Sequence, residues 1–150
     1  MSFSPRSRLT CNEDTDMSKD AYKRGMKTRR KVLGDEWVDS AERTKTAFNA
    51  EFQELITRYA WDDIWNRPGL SREVRRMLVI AMTAAMGRWE EYALHVRAAL
   101  QSGDLSQDDL KEILLQAAIY CGVPIANHAF KEAREVIAQL PAKGKAKRRK

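Results

Sequence analysis

The stretch Gly87-Arg88-Trp89-Glu90-Glu91-Tyr92-Ala93-Leu94-His95-Val96-Arg97-Ala98-Ala99-Leu100 reads as a helix that starts just after Gly87. At 3.6 residues per turn, Arg88, Glu91 and His95 fall on one side of it. A guanidinium, a carboxylate and an imidazole therefore share one stripe. The segment before Gly87 also has helical spacing, from Arg72 to about Met86, with Ser71 as its N-cap. Its residues Val74, Met77, Leu78, Ile80, Ala81, Ala84 and Ala85 make it apolar nearly all round after the first turn, as in a helix buried in a core or at a subunit interface. Two helices joined by so short a turn pack as an antiparallel pair.

On the C-terminal side, Gln101 to Leu105 form a loop around Gly103, and Ser106 with Asp109 sets a capping signal for a helix from Gln107 to Tyr120. Cys121-Gly122 ends that helix, and Pro124 suits the first turn of a last one reaching about Leu140. On the N-terminal side, Ser18 is a capping candidate for a basic helix from Lys19 to Leu33, stopped by Gly34, with Tyr22, Met26 and Leu33 as its thin apolar edge. Asp35 to Thr46 reads as irregular with at most a short helical turn. Phe48 to Trp65 is helical in period, capped by Asn49, with Phe48, Phe52, Leu55, Ile56, Tyr59, Trp61, Ile64 and Trp65 as its apolar side. Asn66-Arg67-Pro68-Gly69 is a turn. No segment of useful length has strand period. The expected fold is all-α, about six helices in antiparallel pairs, with a helical domain over 18–141.

Length and charge narrow the function. A chain of 150 residues suits one domain with its own core. The net charge of +6 suggests a polyanion partner until it is located: Lys143 to Lys150 carry six positive charges and no acid, which leaves 1–142 formally neutral. The expectation is disordered tails at 1–17 and 142–150, and no specific nucleic-acid function. No apolar run approaches a membrane span, and the polar N-terminus has no apolar signal core, so no membrane role and a cytoplasmic location are expected. Cys11 and Cys121 form no redox or zinc spacing, and Cys121 reads as a small buried hydrophobe. There is no phosphate-binding glycine loop, no nucleophile elbow and no cluster with metal-ligand spacing. Any catalysis would be acid–base and electrostatic chemistry with neither cofactor nor metal.

Two readings of the stripe stay open on spacing alone. Arg88, Glu91 and His95 could be an exposed salt-bridged face worth tenths of a kcal/mol. Alternatively, Arg88 at a helix N-terminus binds an anion, and His95, held by Glu91, exchanges protons near neutral pH. His128 lies about one turn into the last helix, on a mostly apolar stretch, with Asn127 beside it and Tyr120 just upstream. It reads either as a core histidine or as part of a second polar cluster. Trp61, Trp65 and Tyr59 read as core rather than as a ligand platform.

The residues Arg88, Glu91, His95 and Arg97-Ala98-Ala99 together resemble the central motif of the 4-carboxymuconolactone decarboxylase family. So do Phe48-Asn49, Glu51-Phe52-Gln53, Ile56-Thr57-Arg58-Tyr59-Ala60-Trp61, Ile64-Trp65 and Arg67-Pro68-Gly69-Leu70. Leu110-Lys111-Glu112, Tyr120-Cys121-Gly122-Val123-Pro124 and Ala126-Asn127-His128-Ala129-Phe130 follow in order, and Gly25-Met26-Lys27, Arg29-Arg30 and Val32-Leu33-Gly34 fit upstream. The likeness covers about 21–140. It implies the all-helical fold of the alkylhydroperoxidase-like superfamily and a homo-oligomer, trimer or hexamer. Redox members of that superfamily carry two cysteines where this chain has Arg88 and Glu91, and an acid where it has Arg76. No thiol nucleophile is left, while His95 keeps the family histidine.

The resemblance further implies cofactor-independent decarboxylation of 4-carboxymuconolactone to 3-oxoadipate enol-lactone, in protocatechuate breakdown within the β-ketoadipate pathway. In that setting His95 would deliver the proton, Glu91 would orient it and Arg88 would bind a carboxylate or oxyanion. His128, Asn127 and Tyr120 would form a second contact cluster, with Arg58 and Arg67 as further anion-binding candidates. A decarboxylase or isomerase for a related lactone or keto acid is the neighbouring reading. A non-catalytic helical assembly module acting through its basic tail is the other.

Overall fold

The computed structural model describes residues 11–141, with side chains from Met17 onward. The tail expectations for 1–10 and 142–150 fall outside the described residues. The described chain divides between Gly69 and Leu70 into two compact units. Among the described residues there are seven α-helices, one π-helical stretch and no strand, so the all-α expectation holds.

The first unit holds α1 (Cys11–Leu33), α2 (Asp35–Arg43), α3 (Ala50–Ile56) and a π-helix (Thr57–Ile64) continuing α3. The α1 helix starts at Cys11, upstream of the expected cap. Ser18 sits inside it, and its hydroxyl accepts a hydrogen bond from Arg58 at 3.1 Å. Asp35–Arg43 forms a full helix where an irregular segment was expected, with Asp35 and Glu36 in its first turn, where acids favour the helix dipole. Its Val38 is completely buried. Asn49 does precede α3, but its side chain accepts from the Thr46 backbone N–H instead of capping the helix.

The apolar edge expected for α1 is present, with Leu33 buried and Tyr22 and Met26 half-buried, and a closer contact adds to it. Gly25 is buried, and a Cβ there would lie 2.0 Å from the Thr57 carbonyl oxygen, so only glycine lets α1 approach the π-helix at that point. Arg29 is buried beside it, donates to Gln53 at 3.0 Å and lies 5.4 Å over the Trp37 ring. The π-helix has its own anchor: Arg24 grips buried Asp62 through Nη2 at 2.8 Å and Nε at 3.1 Å, and Asn66 donates to the same carboxylate. Burial alone would raise the Asp62 pKa, but the hydrogen bonds from Arg24 and Asn66 hold it below the usual range.

The second unit holds α4 (Arg72–Ala85), α5 (Trp89–Ser102), α6 (Gln107–Tyr120) and α7 (Val123–Gln139). The expected caps are in place. Ser71 accepts from the Val74 N–H, and Ser106 and Asp109 form a reciprocal capping box. Between α4 and α5, Gly87 takes a positive φ of 65°, and the Arg88 N–H donates to the Thr83 carbonyl at 2.8 Å. Ile80, Ala84, Tyr92, Val96, Leu110, Leu114, Ala129 and Val136 are the centre of this unit's core. One side of α4 is open in the single chain: Val74, Leu78 and Met82, one turn apart, are exposed, which leaves the subunit-interface branch of the expectation for this helix.

Candidate active site

The α4–α5 turn sets the register of the site. Thr83 and Arg88 are joined by a backbone hydrogen bond. Seven residues back along α4 and seven forward along α5, Arg76 and His95 stand level, because two antiparallel helices rise at the same rate and seven residues make nearly two whole turns. His95 is only 9% exposed. This decides against the exposed-stripe reading. Glu91, one turn earlier, is exposed, and Arg88 is the exposed N-cap residue of α5. The three residues thus form a gradient from solvent to interior.

Burial pushes the His95 pKa down to about 4, and the Arg76 charge acts in the same direction, while Glu91 pulls it back up. The imidazole of the free protein is therefore neutral at pH 7, in contrast to the expected near-neutral titration. Neutral imidazole still has one N–H donor and one acceptor nitrogen.

Arg76 has no exposed surface. Its Nε donates to Asp104 Oδ2 at 2.7 Å, and its Nη2 reaches Ser102 Oγ at 3.4 Å. Arg72 holds both oxygens of the same carboxylate at 2.9 Å. Burial would raise the Asp104 pKa, but its hydrogen bonds to Arg72 and Arg76 keep it below the usual range. Burial lowers the Arg76 pKa against the pull of Asp104. The Nη1 atom of Arg76 is buried and has no hydrogen-bond partner among the described residues.

The second expected cluster is spread out. His128 on α7 stacks on Trp89 with ring centroids 4.1 Å apart, and its Nε2 lies 3.2 Å from Glu132. Beside it, Tyr92 donates its hydroxyl to the Ala129 carbonyl at 3.0 Å. Burial, with Glu132 nearby, raises the Tyr92 pKa. Trp89 lies six residues before His95, about 9 Å along the helix, so His128 joins the start of α5 and not the level of His95. Asn127 is exposed on α7, and Tyr120 is 79% exposed at the end of α6.

Tyr120 lines an apolar groove of about 560 Å³ between α4 and α6, with Val74, Leu78 and Cys121 among its other walls. Cys121 is a free thiol and half-buried, more open than the core position expected for it. In the first unit, Arg58 lies 3.7 Å from Glu54 and donates to Ser18, while Arg67 is exposed in its turn. Tyr59 is exposed, whereas Trp61 is buried and stacks on Trp65 at 5.4 Å.

Arg76, Asp104 and Trp89 are absent from the sequence-predicted site. The equal seven-residue steps from the Gly87 turn were the available signal for Arg76. Nothing in the periodicity pointed to Asp104, which sits in the loop after α5.

Comparison with known proteins points the same way. The profile of the carboxymuconolactone decarboxylase family matches residues 50–135. The chain is similar to 4-carboxymuconolactone decarboxylase of Acinetobacter baylyi, 40% identical over 119 residues covering 79% of this chain and 88% of that protein. It is also similar to nitrosuccinic acid decarboxylase npaB of Metarhizium robertsii, 38% identical over 127 residues covering 85% of this chain and 88% of that one. A third relative, 4-carboxymuconolactone decarboxylase of Pseudomonas putida, is 51% identical over 45 residues, or 30% of this chain and 94% of that sequence.

Proposed function

The chain belongs to the carboxymuconolactone decarboxylase family and is a carboxy-lyase, and from that premise we propose that it converts 4-carboxymuconolactone to 3-oxoadipate enol-lactone in protocatechuate breakdown. The observation that carries this reading is His95: a buried, neutral imidazole level with a buried guanidinium and one turn from a carboxylate.

The chemistry suits such a site. The departing carboxylate is on the γ-carbon of an unsaturated lactone, so the electron pair released with CO2 runs through the double bond to the carbonyl oxygen. The substrate is its own electron sink. The protein has to bind two carboxylates, hold the new oxyanion and protonate the ring carbon next to the carbonyl. A doubly charged acid beside His95 raises the proton affinity of the imidazole, which takes up a solvent proton and passes it to that carbon. The net change is one proton consumed and one CO2 released. Glu91 supports the charged imidazole from the solvent side, and Arg88, at the N-terminus of α5, suits a carboxylate. His128, stacked on Trp89, offers a second polar group at the start of α5, with Asn127 and Tyr120 as further candidate carboxylate or carbonyl contacts; Arg58 and Arg67, in the first unit, stay as anion-binding candidates by residue type alone.

The npaB relative favours a second reading. Nitrosuccinic acid is also a dicarboxylic acid with its own electron sink, here a nitro group, so the same site chemistry would serve a related acid. An ultraviolet assay for the loss of freshly generated 4-carboxymuconolactone, beside one for nitrosuccinate, decides between them. Turnover of the lactone at least tenfold better supports the first reading; preference for the nitro acid supports the second. The apolar stripe of Val74, Leu78 and Met82, with exposed Ile119 and Tyr120, supports a homo-oligomer.

A further inference from the structure

A guanidinium withdrawn from water is costly unless its donors are matched. Asp104 and Ser102 hold the Nε and Nη2 of Arg76, and Nη1 is left buried with no hydrogen-bond partner among the described residues. A clamp whose only purpose was to fasten α4 to the loop after α5 would not need that third nitrogen sealed from solvent. The exposed Arg72 already holds both oxygens of Asp104. The α4–α5 register also places Arg76 level with His95.

We propose that Arg76 Nη1 is the oxyanion donor of the reaction, meeting the substrate oxygen that becomes charged as CO2 leaves. This assignment rests on the decarboxylase reading of the His95 site. In a lactone or a nitro acid, one atom separates the carbon that takes the proton from the oxygen that takes the charge. A donor level with the proton source is therefore placed for that oxygen. The carbon–carbon bond breaks, CO2 leaves as a neutral molecule and the electron pair moves to the oxygen facing Nη1. The proton from His95 then goes to carbon, and the charge leaves the oxygen. Arg76 keeps its own proton throughout, since a guanidinium does not act as an acid at neutral pH. Because Asp104 and Ser102 hold the group in advance, it need not reorganise as charge develops.

The test is steady-state kinetics on the lactone and on nitrosuccinate, with circular dichroism of each variant. Loss of one oxyanion donor costs roughly 100- to 1,000-fold in turnover. Arg76→Met and Arg76→Lys should therefore lower kcat by that amount while KM moves by less than about threefold. Added guanidinium ion should restore part of the kcat of Arg76→Ala. Arg30→Met, which removes a guanidinium on α1 paired with Asp35 and Asp39 and outside the site, should keep its kcat. Arg76→Lys folding normally with wild-type kcat would overturn the assignment. So would a loss confined to KM, or a loss of activity that follows loss of folded protein and that guanidinium does not restore. Wild-type protein that leaves both acids intact would instead defeat the reading of function, and this assignment with it.

Discussion

At the scale of single residues, the properties of His95 come from its surroundings more than from its type. An exposed histidine would titrate near pH 6.5; burial, with Arg76 beside it, moves this one to about 4. The unfolded chain therefore binds a proton at pH values where the folded chain does not. Stability from this group is complete above about pH 6.5 and is lost as pH falls toward 4, a loss on the order of 3 kcal/mol. Urea midpoints at pH 7 and pH 4.5 measure it: His95→Gln should show a smaller acid loss than wild type, and equal losses would contradict the buried neutral imidazole. His95→Ala should abolish turnover while circular dichroism and oligomer mass stay unchanged. Near-normal activity would remove His95 from the chemistry. Of the site residues, the α5 stripe was legible because helical period alone aligns 88, 91 and 95. Arg76 was not, because one of three arginines on α4 does not announce what it is level with on the next helix.

At the scale of elements, period and caps explain what was readable and what was not. Ser71, Ser106 and Pro124 are local signals, and α4, α6 and α7 start where those residues predict. The Phe48–Trp65 segment shows the limit. Its period predicts one α-helix after Asn49 with a continuous apolar side, yet Phe48 is 99% exposed, while Thr57 and Asp62 are buried. The wider π-helical turn changes which residues share a face, so a 3.6-residue pattern loses phase across Thr57–Ile64. The close approach at Gly25 depends on the same stretch. Gly25→Ala should cost about 1–3 kcal/mol or more, since its Cβ meets backbone that cannot swing aside. Thermal melts read this directly, and an unchanged midpoint would mean that α1 is not held so tightly to Thr57.

At the scale of the whole molecule, the apolar surface matters most. Val74, Leu78 and Met82 form one exposed stripe along α4, and the groove beside it is walled by α6 residues up to Tyr120 and Cys121. A stripe that was expected to be buried in a core or at a subunit interface is, in the single chain, open. Leu78→Glu should lower the assembled mass measured by light scattering, because a charge at the centre of an apolar interface is not solvated there. A mass equal to wild type would remove this stripe as a contact between copies of the chain. No helix among the described residues is long and apolar enough to cross a membrane.

The sequence by itself determined the helical class, the positions of most helix starts, the α4–α5 pair and the family, because those depend on period, caps and ordered motifs that neighbouring residues carry. Only the tertiary structure decided that His95 is buried and neutral, that Asp104 anchors Arg76 level with it, that His128 is taken up by Trp89 and Glu132, and that one stretch winds as a π-helix. Those outcomes depend on desolvation and on charges brought in from other helices, and no local pattern of residues records either.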